Sequence, residues 1–166
     1  MPNGKAVMWT KKRILKLLEE VKDPEIPVLS LVDLGVITDV RISGQKVRVQ
    51  MTPTFSGCPA MEYMRQGVGQ ALAAAGIESY EVVMSFEHPW NSNKITPKGR
   101  QALKQFGLAP PPIYQVFTDL EILEQVPCPY CHSENTTLRN PFGPTLCRSL
   151  HYCNNCRQMF EQFKPV

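Results

Sequence analysis

Two C-x-x-C pairs near the end of the chain constrain its fold more than any other feature. Cys128 and Cys131 form the first pair, Cys153 and Cys156 form the second, and residues 132–152 separate them. Each C-x-x-C turn directs two sulfurs toward one point, and two such turns supply the four thiolates of a structural Zn²⁺ site. The separation is slightly longer than the usual zinc-ribbon spacing of about 15–20 residues. We therefore predict a four-cysteine zinc ribbon, although spacing alone does not distinguish zinc from iron.

The other features of this tail leave several interpretations open. A module of about 40 residues buries little apolar surface, so the metal should supply much of its folding free energy. His132 and His151 lie beside the cysteine pairs, and either could replace a cysteine ligand. Cys147 is left over. It is a small buried apolar residue, a thiol that faces a partner, or an exchangeable fifth ligand.

Composition and charge exclude some classes of protein. The chain has 166 residues, of which 43% are hydrophobic and 20% are charged, with a formal net charge of +3. No apolar run approaches the roughly 18 residues of a membrane span, and the N-terminus lacks the apolar core of a signal peptide. We therefore expect a cytoplasmic protein with reduced thiols. Nucleic-acid binding is not favoured, because residues 127–166 carry a weak positive balance: Arg139, Arg148, Arg157 and Lys164 against Glu134 and Glu161.

The periodicity of apolar residues predicts a small mixed fold before the tail. Apolar positions recur at helical spacing in two segments and alternate at strand spacing in three. The order is helix, strand, strand, helix and strand, at residues 10–21, 36–42, 47–51, 61–75 and 81–86. This order is typical of an α+β fold, here a small two-layer α/β domain followed by the zinc-ribbon module.

A short extension follows these five elements. The Thr96-Pro97 pair is the start signal of a further helix, which Gly107 should end, and a proline run then stiffens the chain. We accordingly divide the chain into three parts. They are a domain at residues 1–108, a Pro-rich linker or docked connector at 109–126, and the ribbon at 127–166.

The loop at residues 52–59, Thr-Pro-Thr-Phe-Ser-Gly-Cys-Pro, carries Cys58 between the second strand and the second helix. Cys58 falls at the predicted N-cap position, with Pro59 as the first helical residue. The partial positive charge of a helix N-terminus favours the reactive thiolate form of a cysteine. A capping cysteine in a buried loop is an equally acceptable interpretation. A protease-like triad is not favoured, because nothing in the sequence brings His88, the one histidine before the tail, near Cys58.

Several motifs taken together resemble a known family. They are Asp-Pro-Glu-Ile-Pro at residues 23–27, Asp-Leu-Gly at 33–35, the Thr-x-x-x-x-Gly-Cys-Pro loop at 52–59, and the cysteine-rich tail. From about residue 10 onward, the chain resembles the SufT-like iron–sulfur-cluster assembly family. Within it, the chain is most similar to the branch that serves phenylacetate degradation and carries a C-terminal zinc ribbon.

The resemblance implies a role, partners and site residues. The implied role is maturation of the ring-1,2-phenylacetyl-CoA epoxidase, by assembling an iron–sulfur cluster or delivering it to the reductase subunit. The alternative is a non-catalytic structural subunit of this oxygenase. The residues that would handle a transient cluster, or iron, are Asp23, Thr52 and Cys58, and Cys147 could join them. The implied partners are the reductase and the other epoxidase subunits, and a homodimer stays open.

The sequence shows no set of catalytic groups for ring epoxidation. A bundle-type di-iron site needs carboxylates and Glu-x-x-His pairs on facing helices, whereas this chain has three histidines, two of them in the tail. A glycine-rich dinucleotide-binding fingerprint is also missing. We therefore expect an accessory protein rather than an enzyme.

Overall fold

The computed structural model describes residues 8–113 and 124–165, which form two β-sheets flanked by helices. The helices are α1 (Lys11–Leu18), α2 (Leu31–Leu34), α3 (Ala60–Ala74) and α4 (Pro97–Phe106). The strands are β1 (Ile37–Ser43), β2 (Lys46–Met51), β3 (Tyr80–Met84), β4 (Leu108–Ala109), β5 (Thr136–Asn140), β6 (Arg148–Cys153) and β7 (Met159–Phe163). None of the helices in the two described ranges has the length and apolarity needed to cross a membrane.

The first sheet has the strand order β1-β2-β3 and confirms the predicted α+β class. β1 and β2 form an antiparallel hairpin in which Ser43 pairs with Lys46. Gly44 has a φ of 59° in the turn, a conformation that glycine adopts without steric cost. β3 pairs in parallel with β2, so α3 is the crossover helix that such a connection needs.

The prediction of a helix at residues 10–21 is confirmed at its start and wrong at its end. The Thr10 side chain caps α1, as expected, but the helix stops at Leu18. The following chain turns back on itself, and Leu31 N–H donates to Val21 O at 2.9 Å. This tertiary pairing ends the helix earlier than its apolar periodicity predicts.

The predicted extension helix is confirmed as α4. Thr96 Oγ1 accepts a hydrogen bond from Gly99 N–H at 3.0 Å, which caps the helix start. Gly107 ends α4 with a φ of 88°, the left-handed conformation that glycine favours at this position. The extension then leads directly into the second sheet.

The second sheet has the order β4-β7-β6-β5 and contains the tail. β5, β6 and β7 pair antiparallel, whereas β4 pairs in parallel with β7. The predicted domain boundary after residue 108 therefore falls inside β4. Residues 114–123 of the predicted linker lie outside the described residues.

The ribbon (residues 124–165) packs on the N-terminal unit (residues 8–107) through Phe163. This side chain is 3% exposed and belongs to the same apolar core as α1 and α3. Its ring centroid lies 5.9 Å from that of Trp90, and Trp90 Nε1–H donates to Leu34 O at 3.0 Å. The contact fixes the ribbon beside the loop that carries Cys58.

Candidate functional site

The four cysteines of the two C-x-x-C pairs lie together in the ribbon. Cys128 and Cys131 precede β5, Cys153 ends β6, and Cys156 lies in the turn to β7. Their Sγ atoms all lie within 4.8 Å of one another, at 3.7 Å for Cys128–Cys156 and 3.5 Å for Cys131–Cys153. Metal–sulfur bonds of about 2.3 Å in a tetrahedron place the sulfurs about 3.8 Å apart. The group therefore fits one tetrahedral metal ion.

Both C-x-x-C pairs use the same backbone turn. His132 N–H donates to Cys128 O at 2.9 Å, and Arg157 N–H donates to Cys153 O at 2.9 Å. His132 and Arg157 both have positive φ angles, 62° and 61°, which are uncommon outside glycine. Neither His132 nor His151 belongs to the metal-binding group found among the described residues. The cysteines alone make up that group.

The side-chain amide of Asn155 contacts one of these thiols, Cys131, and lowers its pKa. Asn155 Nδ2 lies 3.6 Å from Cys131 Sγ and donates to it. This hydrogen bond is the largest cause that lowers the pKa of Cys131, to about 6. The thiolate that metals bind is therefore favoured at Cys131, whereas burial raises the pKa of Cys156 to about 12, so a metal must displace the proton there.

A cavity of about 390 Å³ lies between the N-terminal unit and the ribbon. The acidic segment (residues 23–26) and the central loop (residues 52–59) form two of its walls, and the ribbon loop (residues 141–147) forms another. Apolar side chains supply most of the lining: Ile26, Leu34, Phe55, Met64, Phe142, Leu146 and Phe163. The cavity is therefore an apolar space with a few polar groups, as ligand sites usually are.

Three of the four residues predicted to handle a cluster or iron line this cavity. They are Asp23, Cys58 and Cys147, which come from three separate segments of the chain. Thr52, the fourth, is buried directly after β2, where its N–H donates to Val36 O at 2.8 Å. Thr52 does not line the cavity, and its burial and backbone hydrogen bond suit a structural role in holding the central loop.

Cys58 precedes α3 but does not cap it, so its predicted N-cap position is wrong. Pro59 is the N-cap residue, α3 begins at Ala60, and no side chain caps the helix. Cys58 N–H donates to Phe55 O at 3.4 Å, and Met61 N–H donates to Cys58 O at 3.2 Å. The turn that these bonds close moves the helix start by one residue, and the half-buried thiol borders the cavity instead.

Cys147 is half-buried at the end of the ribbon loop. Thr145 Oγ1 lies 3.1 Å from Cys147 Sγ, and Lys164 N–H donates to Cys147 O at 2.8 Å. Burial raises the pKa of Cys147 above its usual value, and the charge of Glu25 acts in the same direction. The free thiol is therefore protonated at neutral pH, and a metal that binds it must displace that proton.

Asp23 places a nearly buried carboxyl group at the cavity. Asp23 is 8% exposed. Its Oδ1 accepts hydrogen bonds from Glu25 N–H at 2.8 Å and from Ile26 N–H at 2.9 Å. Burial raises the pKa of Asp23, and the two backbone bonds oppose the rise. A carboxyl group whose ionisation is disfavoured in a cavity is a candidate for a functional role.

Asp23→Asn should raise the free energy of unfolding at pH 7. Asparagine keeps an oxygen for both backbone bonds and removes the charge that burial disfavours. Because the folded pKa is raised, the ionised carboxylate costs stability at neutral pH, and this cost disappears as the pH falls through the folded pKa. Urea unfolding of the variant and the wild type at pH 7 measures the change.

Asp33→Asn is the matched comparison and should have the opposite effect. Although burial opposes them, hydrogen bonds from the hydroxyls of Ser30 at 2.6 Å and Thr96 at 2.7 Å lower the pKa of Asp33. Their disruption should cost about 2 kcal/mol at pH 7. The cost should fade as the pH falls below the ordinary value of 3.8 and through the lowered pKa. Equal losses in the two variants would show that Asp23 is a structural residue only.

The groups around the cavity do not converge as the ribbon cysteines do. Among the described residues, only the ribbon cysteines form a set of three or more candidate ligand atoms within 4.8 Å of one another. Asp23, Cys58 and Cys147 surround the cavity without meeting this condition, so together they do not fit the shell of a single ion. The space between them leaves room for a larger ligand.

Sequence reasoning missed Arg148, which joins two walls of the cavity. Arg148 Nη2 donates to Glu25 O at 3.2 Å, and Nη1 lies 2.9 Å from Glu161 Oε2. Its position directly after Cys147 was the one sign in the sequence that Arg148 lies near the cavity. The acidic segment that it contacts is far away in sequence, so the contact could not be inferred from local patterns.

Comparisons with known proteins agree with this two-part arrangement. Residues 11–83 match the family model described as an iron–sulfur cluster assembly protein, and residues 115–164 match the PaaD zinc beta ribbon domain. The crystal structure of a domain of unknown function, DUF59, from Bacillus anthracis aligns with a TM-score of 0.53 at 26% identity. The alignment covers 56% of this chain and 90% of that one.

Two relatives show how far the similarity extends. A protein of Escherichia coli, named as a subunit of a "Putative 1,2-phenylacetyl-CoA epoxidase", is 37% identical over 153 residues, which are 92% of each chain. A protein of Porphyromonas gingivalis named "Fe-S protein maturation auxiliary factor" is 33% identical over 91 residues, covering 54% of this chain and 86% of the other. The family resemblance inferred from the motifs is therefore confirmed. The chain belongs to the PaaD family, which joins an iron–sulfur cluster assembly domain to a zinc ribbon.

Proposed function

We propose that this chain is an accessory maturation factor for 1,2-phenylacetyl-CoA epoxidase, which assists iron–sulfur cluster assembly or delivers the cluster to the reductase subunit. The observation that carries the proposal is the single cavity lined by Cys58, Cys147 and Asp23. The names of the two relatives, an epoxidase subunit and a maturation factor, support the two parts of the proposal. We place the protein in the cytoplasm, where thiols stay reduced.

The cargo that fits the cavity best is an iron–sulfur cluster rather than a single iron ion. Clusters are held by cysteine thiolates, and two separate walls each offer one, Cys58 and Cys147. Two protein ligands leave other iron positions open, so the cysteines of a recipient can replace them in turn. Each exchange forms one bond from a recipient thiolate to iron and releases one thiolate of this chain, without a change in oxidation state.

We assign zinc to the four-cysteine group of the ribbon and a structural role to this metal. All four ligands are protein thiolates, which leaves no open position for catalysis. The ribbon would then hold Cys147 at the cavity and serve as the docking module for the reductase and the other epoxidase subunits. Phe142 and Leu146, which are 64% and 63% exposed on the ribbon loop, offer an apolar surface for such a partner.

Metal and sulfide analysis of anaerobically purified protein tests the proposal. Wild-type protein reconstituted with ferrous iron and sulfide should hold a cluster, Cys58→Ser should hold none, and Cys147→Ser should hold less. Zinc content should be the same in all three proteins, which shows that the ribbon is intact. Equal iron and sulfide in the wild type and Cys58→Ser would reject the proposal. Size-exclusion chromatography of the loaded protein tells whether two copies share the cluster.

A non-catalytic structural subunit of the oxygenase is the second candidate, and the name of the Escherichia coli relative favours it. Purification of the active epoxidase complex separates the two functions. A stable and equimolar amount of this chain in the complex supports a structural subunit. Full activity of a complex that lacks the chain refutes that alternative and is the outcome expected of a maturation factor.

A further inference from the structure

Arg148 lies where the ribbon meets the N-terminal unit. It is the first residue of β6, and its side chain is 13% exposed. Nη1 forms an ion pair with Glu161 Oε2 at 2.9 Å, and Nη2 donates to Glu25 O at 3.2 Å. These two contacts, called the Arg148 bridge below, join β7 of the ribbon to the acidic segment. The Arg148 bridge therefore crosses the boundary between the ribbon and the N-terminal unit, where the cavity also lies.

The backbone of Arg148 holds the ribbon loop as well. Gly143 N–H donates to Arg148 O at 2.8 Å, and Arg148 N–H donates to Thr145 O at 3.1 Å. The main chain thus fixes the loop that carries Cys147, while the side chain fixes the segment that carries Asp23. Arg148 therefore contacts both of these walls.

Folding stability alone does not account for this cation. Arg148 Nε is buried and has no hydrogen-bond partner among the described residues. An unsatisfied buried N–H costs free energy, and a partly buried ion pair such as Arg148–Glu161 is weak evidence for a gain in stability. The guanidinium also lies close enough to Asp23 and Cys147 to influence both groups electrostatically. The position of Arg148 therefore indicates a role at the cavity in addition to any role in folding.

We infer that Arg148 is a positioning residue, which holds Cys147 and Asp23 at one cavity through its bridge to Glu25 and Glu161. Arg148 does not itself line the cavity, so it acts through the segments that carry Cys147 and Asp23. That this positioning serves cluster handling rests on the proposed function. The bridge, however, is a property of the free protein and can be measured without iron.

Alkylation of Cys147 tests the inference in the full-length, zinc-loaded protein. In a Cys58→Ser background, zinc protects the ribbon cysteines, so iodoacetamide modification located by mass spectrometry reports on Cys147. Arg148→Met should raise the alkylation rate per thiolate about tenfold, because losing one charge-assisted hydrogen bond shifts an opening equilibrium by that order. The loss of the positive charge also disfavours the Cys147 thiolate, so each rate is corrected for the thiolate fraction found from the pH dependence of alkylation. Arg148→Lys still carries a donor for Glu25 O and should give an intermediate rate.

Arg139→Met is the matched control in the same ribbon. Arg139 lies on β5 with its guanidinium 5.1 Å from the centre of the Tyr152 ring, and it does not line the cavity. This variant should leave the alkylation rate of Cys147 unchanged. A rise equal to that of Arg148→Met would overturn the inference, because it would show that any weakening of the ribbon exposes the thiol.

Hydrogen exchange separates positioning from general destabilisation. Arg148→Met should accelerate amide exchange in the acidic segment while the amides of β6 and the zinc content stay as in the wild type. Uniform acceleration through the ribbon, loss of zinc, or an unchanged alkylation rate would each overturn the inference. Failure of the wild type to take up a cluster, together with faster alkylation in Arg148→Met, would reject the proposed function and support the positioning role.

Discussion

Cys153→Ser should strip the metal from the ribbon and unfold residues 124–165. Cys153 is fully buried at the end of β6 and supplies one of the four sulfurs. Structural zinc sites contribute roughly 10–16 kcal/mol of apparent folding free energy. Within the described residues, the apolar cluster around the site is small, with Ala109, Val126 and Phe160 as its buried members besides the cysteines. Such a core cannot replace the contribution of the metal.

Metal analysis and limited proteolysis measure this effect. Cys153→Ser should lose zinc and be cleaved within the ribbon, whereas the N-terminal unit should resist the protease. Cys147→Ser is the matched control, because Cys147 lies in the same ribbon but outside the metal-binding group. It should keep its zinc and its resistance. A Cys153→Ser protein that resists proteolysis without metal would contradict the assigned structural role.

The docked ribbon gives this prediction a second readout. Phe163 lies in the core of the N-terminal unit, in ring contact with Trp90. Unfolding of the ribbon would withdraw Phe163 and expose the indole of Trp90 to water. In a Trp9→Phe background, which leaves Trp90 as the one indole, the fluorescence should therefore shift to longer wavelength when a chelator removes zinc. Phe163 is therefore one of the side chains that couple the ribbon to the N-terminal core.

The ribbon and the order of the elements could be predicted because their signals are local. Each C-x-x-C pair sets its own turn, so the spacing of Cys128, Cys131, Cys153 and Cys156 is enough to indicate a shared site. The Thr96-Pro97 start and the Gly107 stop of α4 are equally local. Signals of this kind depend on neighbouring residues only, and they are therefore readable in the sequence.

The cavity could not be predicted, because it depends on contacts between distant segments. β4 pairs with β7, and Phe163 packs on Trp90, and these contacts bring the ribbon loop to the central loop. No periodicity in the sequence encodes either contact. The two errors at helix ends have different causes. A tertiary hydrogen bond from Leu31 N–H to Val21 O follows the early end of α1, whereas a local turn over residues 55–61 moves Cys58 off the N-cap.

Cys58→Ser should leave the fold and the ribbon metal intact, yet abolish epoxidase activity in cells that depend on this chain. Cys58 is half-buried in a loop, so replacing sulfur by oxygen should change the free energy of unfolding by less than about 1 kcal/mol. A serine hydroxyl stays protonated at neutral pH and cannot replace a thiolate on iron. The measurements are turnover of phenylacetyl-CoA in cells and the iron and sulfide content of the purified reductase subunit.

Ser56→Ala is the matched control, because Ser56 is exposed in the same loop and does not line the cavity. It should leave both measurements at the wild-type level. Normal cluster content in the reductase from Cys58→Ser cells would show that this chain does not deliver the cluster. Lost cluster content with full zinc in Cys58→Ser would separate the two sulfur sites: the ribbon cysteines hold the structure, and the cavity thiols handle the cargo. That result would explain why an assembly domain carries a ribbon, since the ribbon supplies a second wall and a second thiol of the cavity.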